Sequence, residues 1–256
     1  MVTPVVYDGS FNGFLTAVFE VYEYKIAAPQ LSIQNKNRSS LFGDAHVVAT
    51  NADKAARVLN KMAEKLTSVD FASFYKVFLS ELDDMEKHLF AYVQYVLAAQ
   101  GTVRDNYANA HVLYVQQTAK KVHREKHRME AFIRFQLTKD GLHYATIEPD
   151  FNVLPLISKH FKNRYADQCW LIYDVKRKYG LYYDMKTVTE VSISFNNNEN
   201  PNGITAEIFD EAEPFYQTLW QNYFKSVNIA ARKNTKLHVQ HMPKRYWKYL
   251  IEKIPQ

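Results

Sequence analysis

Apolar residues recur at helical spacing through the first hundred positions. Asp8-Gly9-Ser10 reads as a turn and cap, after which Phe11, Phe14, Leu15, Val18, Phe19 and Tyr22 follow the i, i+3, i+4, i+7 rule of one helical face. A polar loop over Gln34 to Ser40 leads to a short apolar segment, His46 to Ala49. Thr50 or Asn51 then caps a helix whose face is Ala55, Val58, Leu59, Met62 and Leu66. Phe71, Phe74, Tyr75, Phe78, Leu79 and Leu82 predict a third helix. Leu89, Tyr92, Val93, Val96 and Leu97 predict a fourth, stopping near Gly101. A fifth carries a buried stripe of Ala108, Val112, Val115, Ala119 and Val122. At 3.6 residues per turn, Lys120, Arg124, His127 and Arg128 fall on its far side as a cationic ridge.

From Ala131 the period changes to two. Ala131, Ile133, Phe135 and Leu137 alternate with Phe132, Arg134 and Gln136, the signature of a strand. Lys139-Asp140-Gly141 predicts a hairpin returning along Leu142 to Glu148. Pro149 to Asn152 opens a helix with the face Val153, Leu156, Ile157, His160 and Phe161. A second hairpin joins Cys169–Asp174 to Tyr179–Asp184 across Lys176-Arg177-Lys178. A fifth strand, Val188 to Phe195, ends in the loop NNNENPNG, rich in turn formers. A helix from Glu211 to about Lys225, a basic connector with Arg232, Lys233 and Lys236, and a short helix started by Pro243 complete the chain. The pattern predicts an α+β fold: a helical N-terminal part packed with a mainly antiparallel sheet of about five strands and flanking helices. The expected division is a helical subdomain over 1–104 and an α+β subdomain over 105–256 that includes the basic C-terminal segment.

Composition narrows the chemistry. Seven glycines in 256 residues leave no glycine-rich phosphate cradle and no dinucleotide fingerprint. The single cysteine, Cys169, rules out an internal disulfide, a cysteine zinc site and the three-cysteine cluster of a radical enzyme. No cofactor is implied. No apolar run approaches the roughly 18 residues a membrane span requires, and no basic-then-apolar leader is visible, so a cytoplasmic, non-membrane protein is expected. The net charge of +5 permits nucleic-acid binding without requiring it.

Each candidate residue has a bland explanation beside its functional one. A solvated helix surface accounts for the cationic ridge as readily as contact with nucleic acid or a partner. His123 and His127 are spaced to share a metal, but Arg-Glu-Lys between them is not the metalloprotease order and two cations there oppose a divalent ion, so no metal site is expected. His160 shares a face with Leu156, Ile157 and Phe161, which suits a buried, hydrogen-bonded histidine. Beside a cleft with Arg164, Asp167 and Gln168 it would instead serve as general base or phosphate ligand, making His160 and Asp167 the catalytic candidates. Asp150, Asp174 and Asp184 suit capping and turns; a two-metal nuclease would need such carboxylates to converge. The stronger case is electrostatic. Lys225, Arg232, Lys233, Lys236, Lys244, Arg245, Lys248 and Lys253 face only one acid, Glu252, with Tyr246 and Trp247 interleaved. Arg124, His127, Arg128, Arg134, Arg164, Lys244 and Arg245 are the nucleic-acid candidates.

The blocks YDGSFNGFLTAVFEVYE, HRMEAFIRF, PDFNVLPLISKHF, RYADQCWLIYDVKRKYGLYYD and HVQHMPKRYWKYL resemble a bacterial family of unknown function whose members carry a DNA-metabolism label. Its members are typically encoded beside a radical S-adenosylmethionine protein of DNA modification or repair. Some relatives are fused to a uracil-DNA-glycosylase-like domain, though no glycosylase motif is present in this sequence. The resemblance covers essentially the whole chain and implies a partnership with DNA and with that radical enzyme; it brings no catalytic residues to carry over. Two alternatives stand beside it: a metal-dependent or histidine-based hydrolase acting on nucleic acid, and a protein-interaction scaffold.

Overall fold

The computed structural model describes residues 2–34, 45–99, 106–192, 210–227 and 235–253; side chains of 222–227 and 235 are outside the description. The chain forms two compact units, Met1–His123 and Arg124–Gln256. The fold is α+β.

The first unit opens with a strand, not a helix. β1 (Thr3–Tyr7) pairs in parallel with β2 (Pro29–Ile33) on one side and with β3 (His46–Val47) on the other. A parallel pair needs a crossover connection, which α1 (Phe11–Glu23) supplies between β1 and β2. The mainly helical N-terminal part therefore also carries a three-stranded sheet, which the sequence pattern did not predict. Val5, Val6 and Tyr7 are all buried, so β1 lacks the alternation by which a strand announces itself. The helices follow their apolar faces. Ser10 caps α1 by accepting from the Gly13 amide, and Asn51 caps α2 (Ala52–Ala63) by accepting from Asp53 and Lys54. α3 (Ser68–Phe78) starts at the Thr67 cap and α4 (Met85–Ala98) follows; its expected stop, Gly101, lies outside the described residues. Tyr22, expected on the buried face of α1, is 48% exposed. His88 of α4 stacks on Tyr114 with ring centroids 3.7 Å apart, and its Nδ1 lies 3.1 Å from that of His111.

α5 (Ala110–Phe132) contains the boundary between the units. Val112, Val115, Ala119 and Val122 are buried as its stripe requires; Ala108 precedes the helix and is exposed. Helical hydrogen bonding continues to Ile133, whose amide reaches the Met129 carbonyl. The strand expected from Ala131 is thus reduced to β4 (Gln136–Leu137), because the helical ladder already holds Ala131 and Phe132.

The second unit is built on a five-stranded sheet of order β4-β5-β6-β7-β8. β5 (His143–Ile147) returns antiparallel to β4 through a turn whose Gly141 has φ +80°, a region glycine enters freely. β6 (Trp170–Asp174) and β7 (Tyr179–Tyr183) form the second hairpin, with Asp174 accepting the Lys176 and Arg177 amides of the turn. β8 (Val188–Val191) pairs antiparallel with β7; positions 193–195 and the NNNENPNG loop lie outside the described residues. The sheet is mostly antiparallel, as expected, but β5 and β6 run parallel, joined through α6 (Leu154–Arg164). α6 begins later than Pro149–Asn152, with Pro155 near its start, where the missing amide costs nothing. α7 (Glu213–Val227) matches the expected helix. Lys236, read as part of a connector, belongs to α8 (Thr235–His241); Arg232 and Lys233 lie outside the described residues. The segment after Pro243 is two short 3-10 helices, Lys244–Tyr249 and Ile251–Lys253. Trp170, Phe161 and Leu154 are fully enclosed in this unit's core. Among the described residues no helix is long and apolar enough to cross a membrane.

Candidate functional site

One buried carboxylate organises the basic end of the second unit. The Glu125 side chain on α5 is 1% exposed. Its Oε1 accepts the Asp150 amide at 2.9 Å and the Tyr246 hydroxyl, and its Oε2 faces Arg245 at 3.3 Å and Arg128 at 3.5 Å. Burial first, and the Glu125 hydrogen bond second, push the Tyr246 phenol well above its ordinary value. This network binds the chain after β5, the end of α5 and the C-terminal 3-10 turn to one another. Arg128 is consequently an internal partner, not a ridge residue, whereas Arg124 and His127 remain exposed.

Above that network lies a concavity of about 450 Å³ lined by Glu148, Pro149, Asp150, Lys176, Lys244, Arg245 and Lys248. Arg245 pairs with Asp150 at 2.6 Å, and its guanidinium lies 4.4 Å from the Tyr246 ring centroid. Lys248 pairs with Glu148, which also accepts the Tyr249 hydroxyl at 2.7 Å. Those two hydrogen bonds hold the Glu148 carboxyl below its ordinary range, while burial and Glu148 push Tyr249 up to about 12. The two carboxylates are thereby occupied by Arg245 and Lys248. Lys176, which donates to the Asp150 carbonyl at 3.2 Å, and Lys244, 5.9 Å from the Trp247 ring, form no ion pair among the described residues. Arg177, at the same hairpin tip, is drawn inward. It pairs with buried Asp174 at 2.8 Å and donates to the Pro149 and Asp150 carbonyls, so it serves the fold. Asp174 is raised by its burial against the pull of Arg177. The turn-forming role expected of Asp184 also holds: its Oδ1 accepts the Lys186 and Thr187 amides, which lower its pKa.

A second, larger cavity of about 910 Å³ gathers other candidates. His127 and Glu130 come from α5, Arg134 from the following loop, His143 from β5, His160 and Arg164 from α6, and Glu213 and Trp220 from α7. Glu130 pairs with Lys126 at 2.5 Å and stands 3.6 Å from His160 Nδ1 and 3.7 Å from His127 Nδ1. His160 is not the enclosed histidine its helical face suggested; its side chain is 36% exposed and packs edge-on against Phe161. Arg134 makes a two-pronged contact with Glu252 at 2.8 and 3.3 Å, and Glu252 also accepts the Trp220 indole N–H at 2.9 Å. Burial is the largest influence on Glu252 and would raise it, but the Arg134 contact, a backbone amide and the Trp220 indole together outweigh it and the net shift is downward. Buried Glu213 accepts the Leu137 amide and the Gln217 side chain. His143 has a buried Nδ1 with no hydrogen-bond partner among the described residues.

A family description, the domain of unknown function DUF4130, matches residues 83–252. The chain belongs to the DUF4130 family. No curated protein matches this DUF4130 chain. Every residue lining either cavity falls inside the DUF4130 segment.

The structure thus sorts the sequence candidates. His127, Arg134, His160 and Arg164 meet at the larger cavity, and Lys244 and Arg245 at the basic one. Arg124, Arg128 and Asp167 line neither, and Asp167 is exposed. No group of three or more histidine, cysteine or acidic side chains converges as a metal cluster among the described residues. Sequence reasoning missed Glu130, His143, Glu213 and Trp220. Only Glu130 left a signal, lying three residues after His127 on one helical face.

Proposed function

We propose that this DUF4130 protein binds nucleic acid as an accessory of DNA modification or repair, acting for a radical S-adenosylmethionine enzyme. In this reading the basic concavity holds the phosphate backbone. The observation that supports it is the meeting of Lys176, from a hairpin tip, with Lys244, Arg245 and Lys248, from the far end of the chain, around one hollow. Phosphates displace condensed counterions on meeting such cations, so affinity would fall steeply with salt. Fluorescence anisotropy of labelled single- and double-stranded DNA at low and physiological salt is the test. Replacing Lys176 and Lys244 together by Ala should weaken binding and reduce the salt slope by about 0.9 for each lost phosphate contact. An unchanged slope removes the concavity from the reading, and no binding at low salt replaces it with the scaffold alternative.

The approach of Glu130 to His160 Nδ1 supports a second reading, a histidine-based hydrolase. At 3.6 Å the two are related by charge without a direct hydrogen bond, so in this reading the carboxylate closes on Nδ1 when substrate binds and leaves the other ring nitrogen to move a proton. Loss of phosphodiesterase activity in a folded His160→Ala variant would support it.

A further inference from the structure

The larger cavity has a chemistry of its own. Its volume of about 910 Å³ lies in the range of small-molecule sites. Most of its charged groups are already committed: Arg134 to Glu252, Glu130 to Lys126, and Glu213 to the Leu137 amide and Gln217. Arg164 is the exception. It is exposed, leans over the Tyr165 ring at 5.7 Å, and forms no ion pair among the described residues. The uncommitted charge is therefore the Arg164 guanidinium, which suits an anionic group; the His127 and His160 imidazoles beside it already stand 3.7 and 3.6 Å from Glu130. The walls are aromatic. Phe135 packs edge-on against Tyr165 at 5.3 Å with both rings only partly buried, and Trp220 keeps 38% of its surface exposed. Rings of this kind accept a planar heterocycle by stacking. The wall also holds the His143 imidazole, a polar ring that can meet the polar edge of a heterocycle.

A planar ring, a polar edge and an anion together describe one ligand class. We propose that this cavity binds a single nucleotide, its base between the aromatic walls and His143, its phosphate at Arg164 and His160. A free mononucleotide and one nucleotide turned out of a strand present the same groups. The site is therefore independent of whether the basic concavity holds DNA.

The test is titration of the full-length protein with each of the four deoxynucleoside 5′-monophosphates, followed by tryptophan fluorescence. Saturable quenching is expected, and Trp220→Phe, which leaves Trp170 and Trp247, should abolish it. Arg164→Ala, a change at an exposed residue, should weaken binding about tenfold or more, in line with losing a charge-assisted phosphate contact. The corresponding nucleosides and inorganic phosphate should each bind more weakly than the nucleotide. Competition by a short single-stranded oligonucleotide identifies the strand as the source, and its absence identifies the free nucleotide; both outcomes uphold the site. The Lys176→Ala, Lys244→Ala variant should bind mononucleotide as the parent does, which separates this site from the basic concavity. No quenching by any monophosphate or oligonucleotide at millimolar concentration, or equal affinity in Arg164→Ala, overturns the proposal.

Discussion

Replacing Glu125 by Gln tests the network that holds the basic end of the second unit together. The substitution keeps the shape and one carbonyl oxygen. That oxygen still accepts from the Asp150 amide and the Tyr246 hydroxyl, both of which meet Oε1 in the parent. What is lost is the charge. A hydrogen bond to a charged acceptor nets roughly 1.5–3 kcal/mol and a neutral one roughly 0.5–1.5, so each of the two is weakened by about 1 kcal/mol. At the Oε2 position a new NH2 group faces Arg128 and Arg245, donors meeting donors. The Arg245 side chain is 41% exposed and Arg128 28%, so screening limits these contacts to roughly 0–1 kcal/mol each. The expected cost is about 2–4 kcal/mol of unfolding free energy. Urea titration followed by tryptophan fluorescence reads it cleanly, because all three tryptophans, 170, 220 and 247, lie in Arg124–Gln256. Tyr246→Phe should cost roughly 1.5–3 kcal/mol, and the double variant should fall short of the sum by about 1 kcal/mol, since both remove the same bond. A Glu125→Gln change below about 0.5 kcal/mol, or strict additivity with Tyr246→Phe, would refute the argument.

Two further perturbations follow from packing and protonation. A Cβ at Gly180 would lie 2.8 Å from the Ile172 carbonyl oxygen and 3.3 Å from the Tyr173 Cα, backbone atoms of the adjacent strand. Gly180→Ala should therefore cost roughly 1–3 kcal/mol in the same fluorescence-monitored unfolding, and a neutral result would mean that β6 and β7 yield. In the first unit, burial first and the charge of His111 second hold His88 below its ordinary value of 6.5, with Lys87 adding to this and Asp84 opposing it. A depressed folded-state pKa means that the stabilisation is present above pH 6.5 and lost as pH falls through the folded value. Thermal unfolding of the first unit by circular dichroism should weaken on acidification below that pH, and His88→Gln should flatten the trend; equal slopes would count against it.

The helices of the first unit and the two hairpins of the second were legible because amphipathic faces and turn residues are local signals. Phe14, Val18, Val58, Phe74 and Val93 are buried where their spacing placed them. β1 was not legible: with Val5, Val6 and Tyr7 buried in succession it lacks the period of two, and long-range pairing with Pro29–Ile33 and His46–Val47 defines it. The Ala131–Leu137 alternation misled because a helix already underway holds residues whose side chains alternate by chance. The site divides in the same way. His127, His160 and Arg164 could be singled out by residue type and face, but their meeting with His143 and Trp220 depends on sheet order, which no local pattern carries. The same holds for the basic hollow. A run of Lys and Arg shows charge, but only the fold shows that Glu125 and Asp150 occupy Arg245 and leave Lys244 outside.

The parallel seam between β5 and β6 has a consequence for how the second unit comes into being. Each flanking hairpin closes through a short turn and is a microsecond event, on the order of 1–10 μs. The seam is different: residues 143–147 pair with 170–174 only once α6 has carried the chain across. Loop closure must come before those contacts can stabilise anything, so this pairing is the slow, long-range step. The larger cavity takes His143 from one side of the seam and His160 and Arg164 from the crossover itself. It is therefore absent from any refolding species that holds both hairpins yet has not joined them, and its formation marks completion of the fold more strictly than recovery of secondary structure does.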